Sequence, residues 1–321
     1  MFNIMIPIFL MCFNYACIYA NYSLLEDVQK KFVIVTASYN SIDFVDKYLE
    51  SVFSQKCDEK KFTFRVIYYD DSSDDGTGEF VEAYKDKFNL GNKFSIIRNK
   101  IKVGAHENIY HAVHSCDDDE IVLIVDGDDW LARNDVLEIL YGVYSDPNVW
   151  LTYGQLQRYP SGVIGTCHEI PEEVIKSNSF RSYPWTSSHL RTFYAWLYKR
   201  IKMEDIMFKG KFVPVCGDVA IMFPMLEMAG THSRFIPEVL YIYNCDNQYS
   251  YWNNPPKNEE IRKNQCVTGI MRKSKKSTQK LNESNKIDTS KKTDRIHLII
   301  GRHIRHDRSE EHTSELQSRQ V

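Results

Sequence analysis

Segments patterned as buried strands alternate with segments of helical periodicity between residues 30 and 159, and this alternation constrains the fold more than any other feature. A strand followed by a helix and a second strand forms a βαβ unit, whose strands lie parallel in a sheet with helices on both faces. The sequence therefore predicts an α/β domain with a mostly parallel central sheet. The strand segments are 30–40, 62–77, 94–99, 120–130 and 149–159, and the helical segments are 41–55, 78–88, 104–116 and 134–146.

The rest of the chain is less regular. We place the α/β domain at 31–250, although after Pro160 only the run DVAIMFPMLEMAG is clearly helical. Residues 1–20 are almost wholly apolar and predict a signal peptide or a short membrane anchor, with an ordinary hydrophobic N-terminus as the alternative. Residues 251–307 form a polar tail rich in Lys, Asn and Ser. Residues 308–321 resemble a translated sequencing adapter and are excluded from the prediction of the fold.

Composition limits the classes of function. The formal net charge of -3 does not favour a nucleic-acid partner, and 43% hydrophobic residues are enough for a sizeable core. None of the eight cysteines stands in a CxxC or Cys/His ligand spacing. The sequence therefore predicts neither a zinc site nor a disulfide framework.

Polar residues cluster where four of the predicted strands end. In open parallel sheets, ligands bind outside the carboxyl ends of the strands. We therefore expect these residues to meet at one edge of the sheet and to form a site. They are Ser38, Tyr39, Asn40, Asp70, Asp71, Asn99, Asp126, Asp128 and Asp129.

The last of these clusters has the form of a DxD motif. Asp126 and Asp128 stand one residue apart after the apolar run IVLIV, with Gly127 between them. Two carboxylates at this spacing can hold a hard divalent cation, which bridges diphosphate oxygens. Solvated turn residues are the alternative.

The carboxylates after the second strand have two different expected roles. Asp70 and Asp71 can accept hydrogen bonds from a nucleobase or a ribose. Asp74 and Asp75 are expected to build the turn and cap the following helix.

Taken in order, TASYN, DDSSDDGT, RNKIKVGAHENIYHAV and VDGDDW resemble the donor-binding motifs of family 2 glycosyltransferases, which have the GT-A fold. The resemblance covers residues 31–245 and implies a nucleotide-diphospho-sugar transferase fold. It implies a nucleotide-sugar donor, expected to be a UDP-sugar, and Mn²⁺ or Mg²⁺ as cofactor. Asp126 would contact the donor, and Asp128 would be the direct metal ligand. The implied nucleotide-sugar-binding residues are Ala37, Ser38, Tyr39, Asp70, Asp71, Asn99, Gly104, Asn108 and Asp126.

Members of this family invert the anomeric centre, which requires a base on the acceptor side. The matching segment often begins with a Glu-Asp pair, whereas this chain has Gly217 and Asp218. The resemblance implies that Asp218 is the base, and a helix cap is the alternative.

Four further residues are expected to stack on a sugar or bind diphosphate oxygens. They are Trp130, Trp185, His189 and Arg191. The alternative is that Phe193, Trp196 and Leu197 are core residues and that His189 only has its hydrogen bonds satisfied within the protein. Asp129 and Trp130 are expected to face the sugar or the acceptor.

These expectations define an inverting hexosyltransferase. The acceptor would be a hydroxyl of a carbohydrate, a glycolipid or a glycoprotein. No QxxRW motif is present, which favours a single addition over processive synthesis. The apolar leader would associate the enzyme with a membrane or the secretory pathway, and without such a signal it would be cytoplasmic. The alternatives are a non-catalytic GT-A protein that binds sugar nucleotides and a DxD phosphohydrolase.

Overall fold

The computed structural model describes residues 29–208, 210–214 and 217–248. The chain divides into two units, residues 1–279 and 280–321, and every described residue belongs to the first unit. The predicted leader, the whole polar tail (251–307) and the adapter-like segment lie outside the described residues. Within the described part, no helix has the length and apolar character that a membrane span requires.

The regular elements follow the predicted alternation as far as residue 159. The strands are β1 (Lys30–Ser38), β2 (Phe62–Asp70), β3 (Phe94–Arg98), β4 (Ile121–Ile124), β5 (Trp130–Leu131), β6 (Leu151–Tyr159), β7 (Arg191–Tyr194), β8 (Met207–Phe208), β9 (Lys211–Phe212) and β10 (Ser233–Asn244). The helices are α1 (Val45–Phe53), α2 (Thr77–Lys87), α3 (Ala105–His114), α4 (Val136–Tyr144), α5 (Glu172–Ser177), α6 (Ala195–Tyr198), α7 (Met203–Ile206) and α8 (Gly217–Ala229).

Eight strands form one sheet in the order β3-β2-β1-β4-β7-β6-β10-β5. Strands β1, β2, β3 and β4 are parallel neighbours, and β6 is parallel to β10. The prediction of a mostly parallel α/β sheet is confirmed. Two antiparallel strands interrupt it, because β7 lies between β4 and β6 and β5 lies beside β10.

The core is built from the strands and the apolar faces of their helices. Every residue of β4 is buried, as expected for a strand covered on both faces. In α1, the residues at helical spacing that face the sheet are buried, namely Val45, Tyr48, Leu49 and Val52. Helix α8 is buried from Val219 to Ala229, so both of its faces are enclosed by protein. The packing of this helix therefore fixes the position of its N-terminal residues.

Three hydroxyl groups form hydrogen bonds with one another where β7 enters the sheet. Thr192 Oγ1 lies 2.8 Å from the Tyr144 hydroxyl and 2.6 Å from Thr152 Oγ1, and all three residues are buried. Buried hydroxyls without partners would cost free energy. The chain of hydroxyl groups therefore stabilises β7 between β4 and β6.

Candidate active site

Asp71 organises the ends of β2 and β3. Its Oδ1 accepts hydrogen bonds from Asn99 Nδ2 at 2.8 Å and from the Val103 amide at 2.9 Å, and its Oδ2 accepts from the Gly104 amide at 2.8 Å. Asn99 Nδ2 also donates to Asn108 Oδ1 at 2.8 Å. Burial raises the pKa of Asp71, but these donors outweigh burial and the net pKa is lower than usual for Asp. The structure thus brings four residues of the predicted donor site together.

Glycine is required at position 104 for its backbone conformation. Its φ of +101° lies in a region that other residues rarely adopt. The same residue precedes α3 and donates its amide to Asp71. The loop between β3 and α3 is therefore held in one shape around the Asp71 carboxylate.

Asp70 lies beside Asp71 in sequence but has different partners. It is 1% exposed, and its Oδ2 lies 3.4 Å from Arg98 Nε. Gly78 of α2 covers this ion pair, since a Cβ there would stand 2.5 Å from both Asp70 Oδ2 and Arg98 Nε. Asp70 thus contributes to the packing of α2 against β2 and β3 through its ion pair with Arg98.

Asp74 and Asp75 build the turn, as the sequence predicts. Asn40 Nδ2 donates to Asp74 Oδ1 at 2.8 Å, and the Ile42 amide donates to Asp75 Oδ2 at 3.0 Å. Asp75 Oδ1 also accepts from the Thr77 amide at the start of α2, at 2.9 Å. These bonds connect the turn after β1 to the turn after β2.

Tyr39 and Ala37 are partly exposed at the end of β1, whereas Ser38 is buried. Lys102 Nζ lies 3.1 Å from the centroid of the Tyr39 ring. Burial lowers the pKa of Lys102, while the charge of Asp71 raises it, and the net shift is downward. Lys102 therefore adds a cation to the predicted nucleotide site that the motif comparison did not identify.

Gly127 lets the DxD turn pack directly on β1. Its amide donates to the Ala37 carbonyl at 3.3 Å, and a Cβ at this position would overlap Ser38 Cβ and Oγ and lie 2.9 Å from Ser38 Cα. Space, rather than an unusual backbone conformation, requires glycine here. The close approach fixes the carboxylates relative to the end of β1.

Gly127→Ala is therefore expected to lower the free energy of unfolding by about 1–3 kcal/mol, because an added methyl group overpacks this contact. The matched control is Gly142→Ala in α4, where a Cβ would meet nothing within 4 Å. That change is expected to raise the free energy of unfolding by about 0.5–1 kcal/mol, because alanine is favoured over glycine within a helix. Urea denaturation of both variants measures the difference. Equal stabilities would contradict the packing argument.

The three carboxylates of the DxDD turn have different surroundings. Asp129 is 1% exposed, and it accepts from the Tyr241 hydroxyl at 2.7 Å and from the Asn244 amide at 2.7 Å. Asp128 is partly exposed and accepts from Asn247 Nδ2 at 2.8 Å. Asp129 thus fixes the turn to β10. The expectation that it faces the sugar or the acceptor was wrong, because both of its oxygens are bonded inside the protein.

Burial raises the pKa values of all three carboxylates in this turn, and neighbouring negative charges add to the shifts of Asp126 and Asp129. Burial raises the pKa of Asp126 to about 6; Arg191 opposes this shift, and the charges of Asp128 and Asp218 reinforce it. Burial, followed by the charges of Asp128 and Asp126, raises the pKa of Asp129 well above its usual value. Burial likewise raises the pKa of Asp128. A nearby cation would stabilise the ionised forms.

His189 completes a group of possible metal ligands. Ligand atoms of Asp126, Asp129 and His189 lie within 4.8 Å of one another, in a search of the described residues. The His189 ring stacks on Tyr241, with centroids 4.3 Å apart. Burial lowers the pKa of His189, and Arg191 lowers it further, so the imidazole is neutral at neutral pH. The carboxylates and neutral imidazole fit a divalent cation such as Mn²⁺.

Arg191 connects His189 to Asp218. Its Nη2 lies 3.1 Å from His189 Nδ1, and its Nη1 lies 3.7 Å from Asp218 Oδ2. Arg191 is buried, and within the described part of the chain its Nε and Nη1 have no hydrogen-bond partner. A buried guanidinium with free donors is suited to anionic oxygens. The predicted residues His189, Arg191 and Asp218 therefore lie together.

Asp218 lies in the first turn of α8 and is partly exposed. The preceding Gly217 packs against His106 of α3, because a Cβ at Gly217 would stand 3.0 Å from His106 Nδ1. His106 is buried, which lowers its pKa to about 4. The imidazole thus occupies the space beside Gly217, the position at which the resemblance implies a glutamate.

The two predicted tryptophans lie at different places. Trp130 meets the Tyr159 ring edge to face, with centroids 5.1 Å apart. Trp185 packs on Phe223 of α8, with centroids 5.6 Å apart. Trp130 thus follows the carboxylate turn directly, whereas Trp185 lies on the flank of α8.

Sequence reasoning missed several residues of the site. The partners that hold the carboxylate turn are supplied by β10 and the residues after it, a segment for which no strand was predicted. Its alternation is irregular, because the pairing of β10 with β6 shifts register twice between Ile236 and Tyr241. No motif marks these residues, which are Tyr241, Asn244 and Asn247.

Comparisons with known proteins agree with this architecture. The model of the family described as Glycosyl transferase family 2 matches residues 33–207. Poly(ribitol-phosphate) beta-N-acetylglucosaminyltransferase TarS, from two strains of Staphylococcus aureus, is 35% identical over 104 residues. The match covers 32% of this chain and only 17% of the length of these curated relatives.

Solved structures share the fold at low sequence identity. TarS 1-349 of S. aureus in complex with UDP-GlcNAc superposes with a TM-score of 0.56 at 15% identity, covering 75% of this chain and 66% of that one. Mannosyltransferase PcManGT from Pyrobaculum calidifontis, in complex with GDP-Man and Mn2+, superposes with a TM-score of 0.50 at 16% identity. This match covers 77% of this chain and 64% of the mannosyltransferase chain. These neighbours confirm the predicted GT-A fold. Because the family model matches more than half of the chain, the protein belongs to glycosyl transferase family 2.

Proposed function

We propose that this glycosyltransferase moves a hexose from a nucleotide sugar to an acceptor hydroxyl, with inversion at the anomeric carbon and with dependence on a divalent metal. The observation that carries the proposal is the convergence of two groups at the carboxyl edge of the sheet. Asp71, Asn99 and Gly104 form one group, and the carboxylates with His189 form the other. The first suits a nucleoside, and the second suits a metal diphosphate.

The donor is proposed to lie across β1, β2 and β4. Ala37, Tyr39 and the loop held by Asp71 would contact the nucleoside. Asp126 and Asp128, the pair that the resemblance implies, would hold Mn²⁺ or Mg²⁺, with Asp129 and His189 as further possible ligands beside Asp126. The bound ion would stabilise the negative charge of the leaving nucleoside diphosphate. UDP-GlcNAc and GDP-Man, the ligands of the two structural neighbours, support a nucleotide-sugar donor.

Asp218 is proposed as the catalytic base. Its carboxylate would take the proton from the acceptor hydroxyl while the hydroxyl oxygen attacks the anomeric carbon and the bond to the diphosphate oxygen breaks. Attack from the face opposite the leaving group inverts the configuration. Arg191 Nη1 lies 3.7 Å from Asp218 Oδ2, and the Arg191 donors that have no hydrogen-bond partner within the described residues are suited to diphosphate oxygens.

The acceptor is proposed to be a carbohydrate, a glycolipid or a glycoprotein. Trp130 and Trp185 would pack on sugar rings on the acceptor side. Membrane association, through the apolar residues 1–20, is part of this proposal and rests on sequence alone. A non-catalytic sugar-nucleotide-binding protein is the competing possibility, because the chain has Gly217 where the resemblance implies the first acid of a Glu-Asp pair.

A panel of UDP-sugars and GDP-sugars tests the function. One nucleotide sugar is expected to raise the Tm with Mn²⁺ present and to release its nucleotide slowly in water. The same panel with EDTA is the control. Stabilisation without nucleotide release, with or without candidate acceptors, would support the non-catalytic alternative. If no nucleotide sugar raises the Tm with Mn²⁺, the transferase proposal fails.

A further inference from the structure

Three aromatic rings surround the ammonium of Lys47 of α1, at the edge of the sheet that carries the candidate site. Its Nζ is 4.5 Å from the ring centroid of Tyr159, 5.0 Å from that of Trp130 and 5.9 Å from that of Phe44. The Tyr159 hydroxyl is 3.4 Å from the same Nζ. All four side chains are partly exposed. We refer to Lys47, Phe44, Trp130 and Tyr159 as the Lys47 cluster.

The Lys47 cluster and the carboxylate turn are connected through strand β10. Trp130 follows the turn directly and pairs with Ile242 of β10, while Tyr159 pairs with Asn244 of the same strand. The Asn244 amide in turn donates to Asp129. The nucleotide residues lie on the other side of the turn, at the ends of β1, β2 and β3. The Lys47 cluster therefore lies beside the carboxylate turn, away from the proposed nucleotide residues.

The positive charge of Lys47 has no carboxylate partner within ion-pair distance in the described part of the chain, unlike Lys31, Lys61 or Lys199. Three rings hold the ammonium in place through cation–π contacts, but rings carry no net charge and cannot neutralise it. The side chain is also already ordered, so an incoming anion would lose little free energy in immobilising it. The Lys47 cluster thus has the properties of a preformed anion site.

The rings around Lys47 add a second kind of contact. Trp130 and Tyr159 meet edge to face and both remain partly exposed. Exposed aromatic rings provide rigid apolar surface at a small entropic cost, and their polar groups can still bond to hydroxyls. A cation beside such rings matches a chain that carries both sugar rings and negative charges.

We propose that the Lys47 cluster is an acceptor subsite for a negatively charged carbohydrate. The ammonium of Lys47 contacts a phosphate or another anionic group of the acceptor, and the rings of Trp130 and Tyr159 pack on an adjacent sugar unit. This subsite rests on the proposed transferase function, since it is defined by its place beside the donor site. It adds the charge class of the acceptor, which the motifs leave open.

Affinity electrophoresis through gels that contain phosphorylated dextran or unmodified dextran of equal length tests the subsite. The wild-type protein is expected to be retarded more by the phosphorylated polymer. Lys47→Gln is expected to weaken this retardation about tenfold in apparent Kd, because it removes one charge-assisted contact. Lys47→Arg keeps the charge and is expected to retain most of the binding. The Tm of each variant shows that it is folded.

Lys56→Gln is the matched control, because it removes the same charge beyond the other end of α1, where Lys56 is exposed. It is expected to migrate like the wild type. Equal retardation of the wild type and Lys47→Gln by phosphorylated dextran would overturn the subsite, as would equal retardation of the wild type by both polymers. The gels contain no nucleotide sugar. A protein that fails to bind donor therefore contradicts the proposed function without deciding the subsite.

Discussion

Asp218→Asn is expected to lower the kcat of sugar transfer by about 10²–10⁴-fold, the range typical for the loss of a general base. The asparagine side chain keeps the size of Asp218 but cannot accept the proton of the acceptor hydroxyl. Nucleotide-sugar binding, measured as the rise in Tm with Mn²⁺ present, is expected to persist. The reason is that Asp218 lies outside the group formed by Asp126, Asp129 and His189. Steady-state kinetics and thermal shifts measure the two effects.

Asp46→Asn is the matched control for this change. Asp46 lies in the first turn of α1 as Asp218 lies in the first turn of α8, and it is exposed. Both replacements remove a favourable charge from a helix N-terminus, an effect of about 0.3–1 kcal/mol on stability. If Asp218 acted only as a helix residue, the two variants would show similar small losses of stability and full transfer. Transfer at the wild-type rate by Asp218→Asn would exclude it as the base.

Asp128→Asn and Asp126→Asn are expected to abolish metal-dependent donor binding and, with it, transfer. Each removes a proposed carboxylate ligand of the divalent cation while preserving the shape of the turn. The expected measurement is a Tm that no longer rises when Mn²⁺ and a nucleotide sugar are added. Loss of product in a transfer assay should accompany it.

The Tm of the metal-free protein is the control measurement for these two substitutions. Asp126 has its pKa raised to about 6 by burial, with added repulsion from Asp128 and Asp218. Its ionised form is therefore destabilising at neutral pH, and Asp126→Asn is expected to leave the metal-free Tm unchanged or to raise it. Asp86→Asn, an exposed change on α2, should alter neither quantity. A normal response of Asp126→Asn to Mn²⁺ would remove Asp126 from the metal site.

The segments up to Tyr159 were predictable because their signals are local. Apolar runs such as that of β4 and the helical spacing of Val45, Tyr48 and Leu49 depend only on neighbours along the chain. The order of strands and helices then places the strand ends at one edge. That is why Asp71, Asn99 and Asp126 could be assigned to one site before their contacts were known.

The second half of the sheet was not predictable in the same way. Strand β7 follows the segment WTSSH and is four residues long, and its place between β4 and β6 depends on both neighbours. Strand β10 is twelve residues long but changes register twice, which disrupts its alternation. Strand identity in these segments comes from pairing with distant residues rather than from local pattern.

The sequence by itself determined the parallel half of the α/β fold, the family and the residue types of the candidate site, because these follow from local periodicity and from motifs in order. Only the tertiary structure decided which partners these carboxylates have. Asp129 is bonded to Tyr241 and Asn244, which lie 112 and 115 positions away in the chain, and Asp70 is paired with Arg98. The ring frame around Lys47 likewise depends on Tyr159, 112 positions away. Burial, ion pairing and pKa arise from such distant contacts, so they exist only once the whole sheet has assembled.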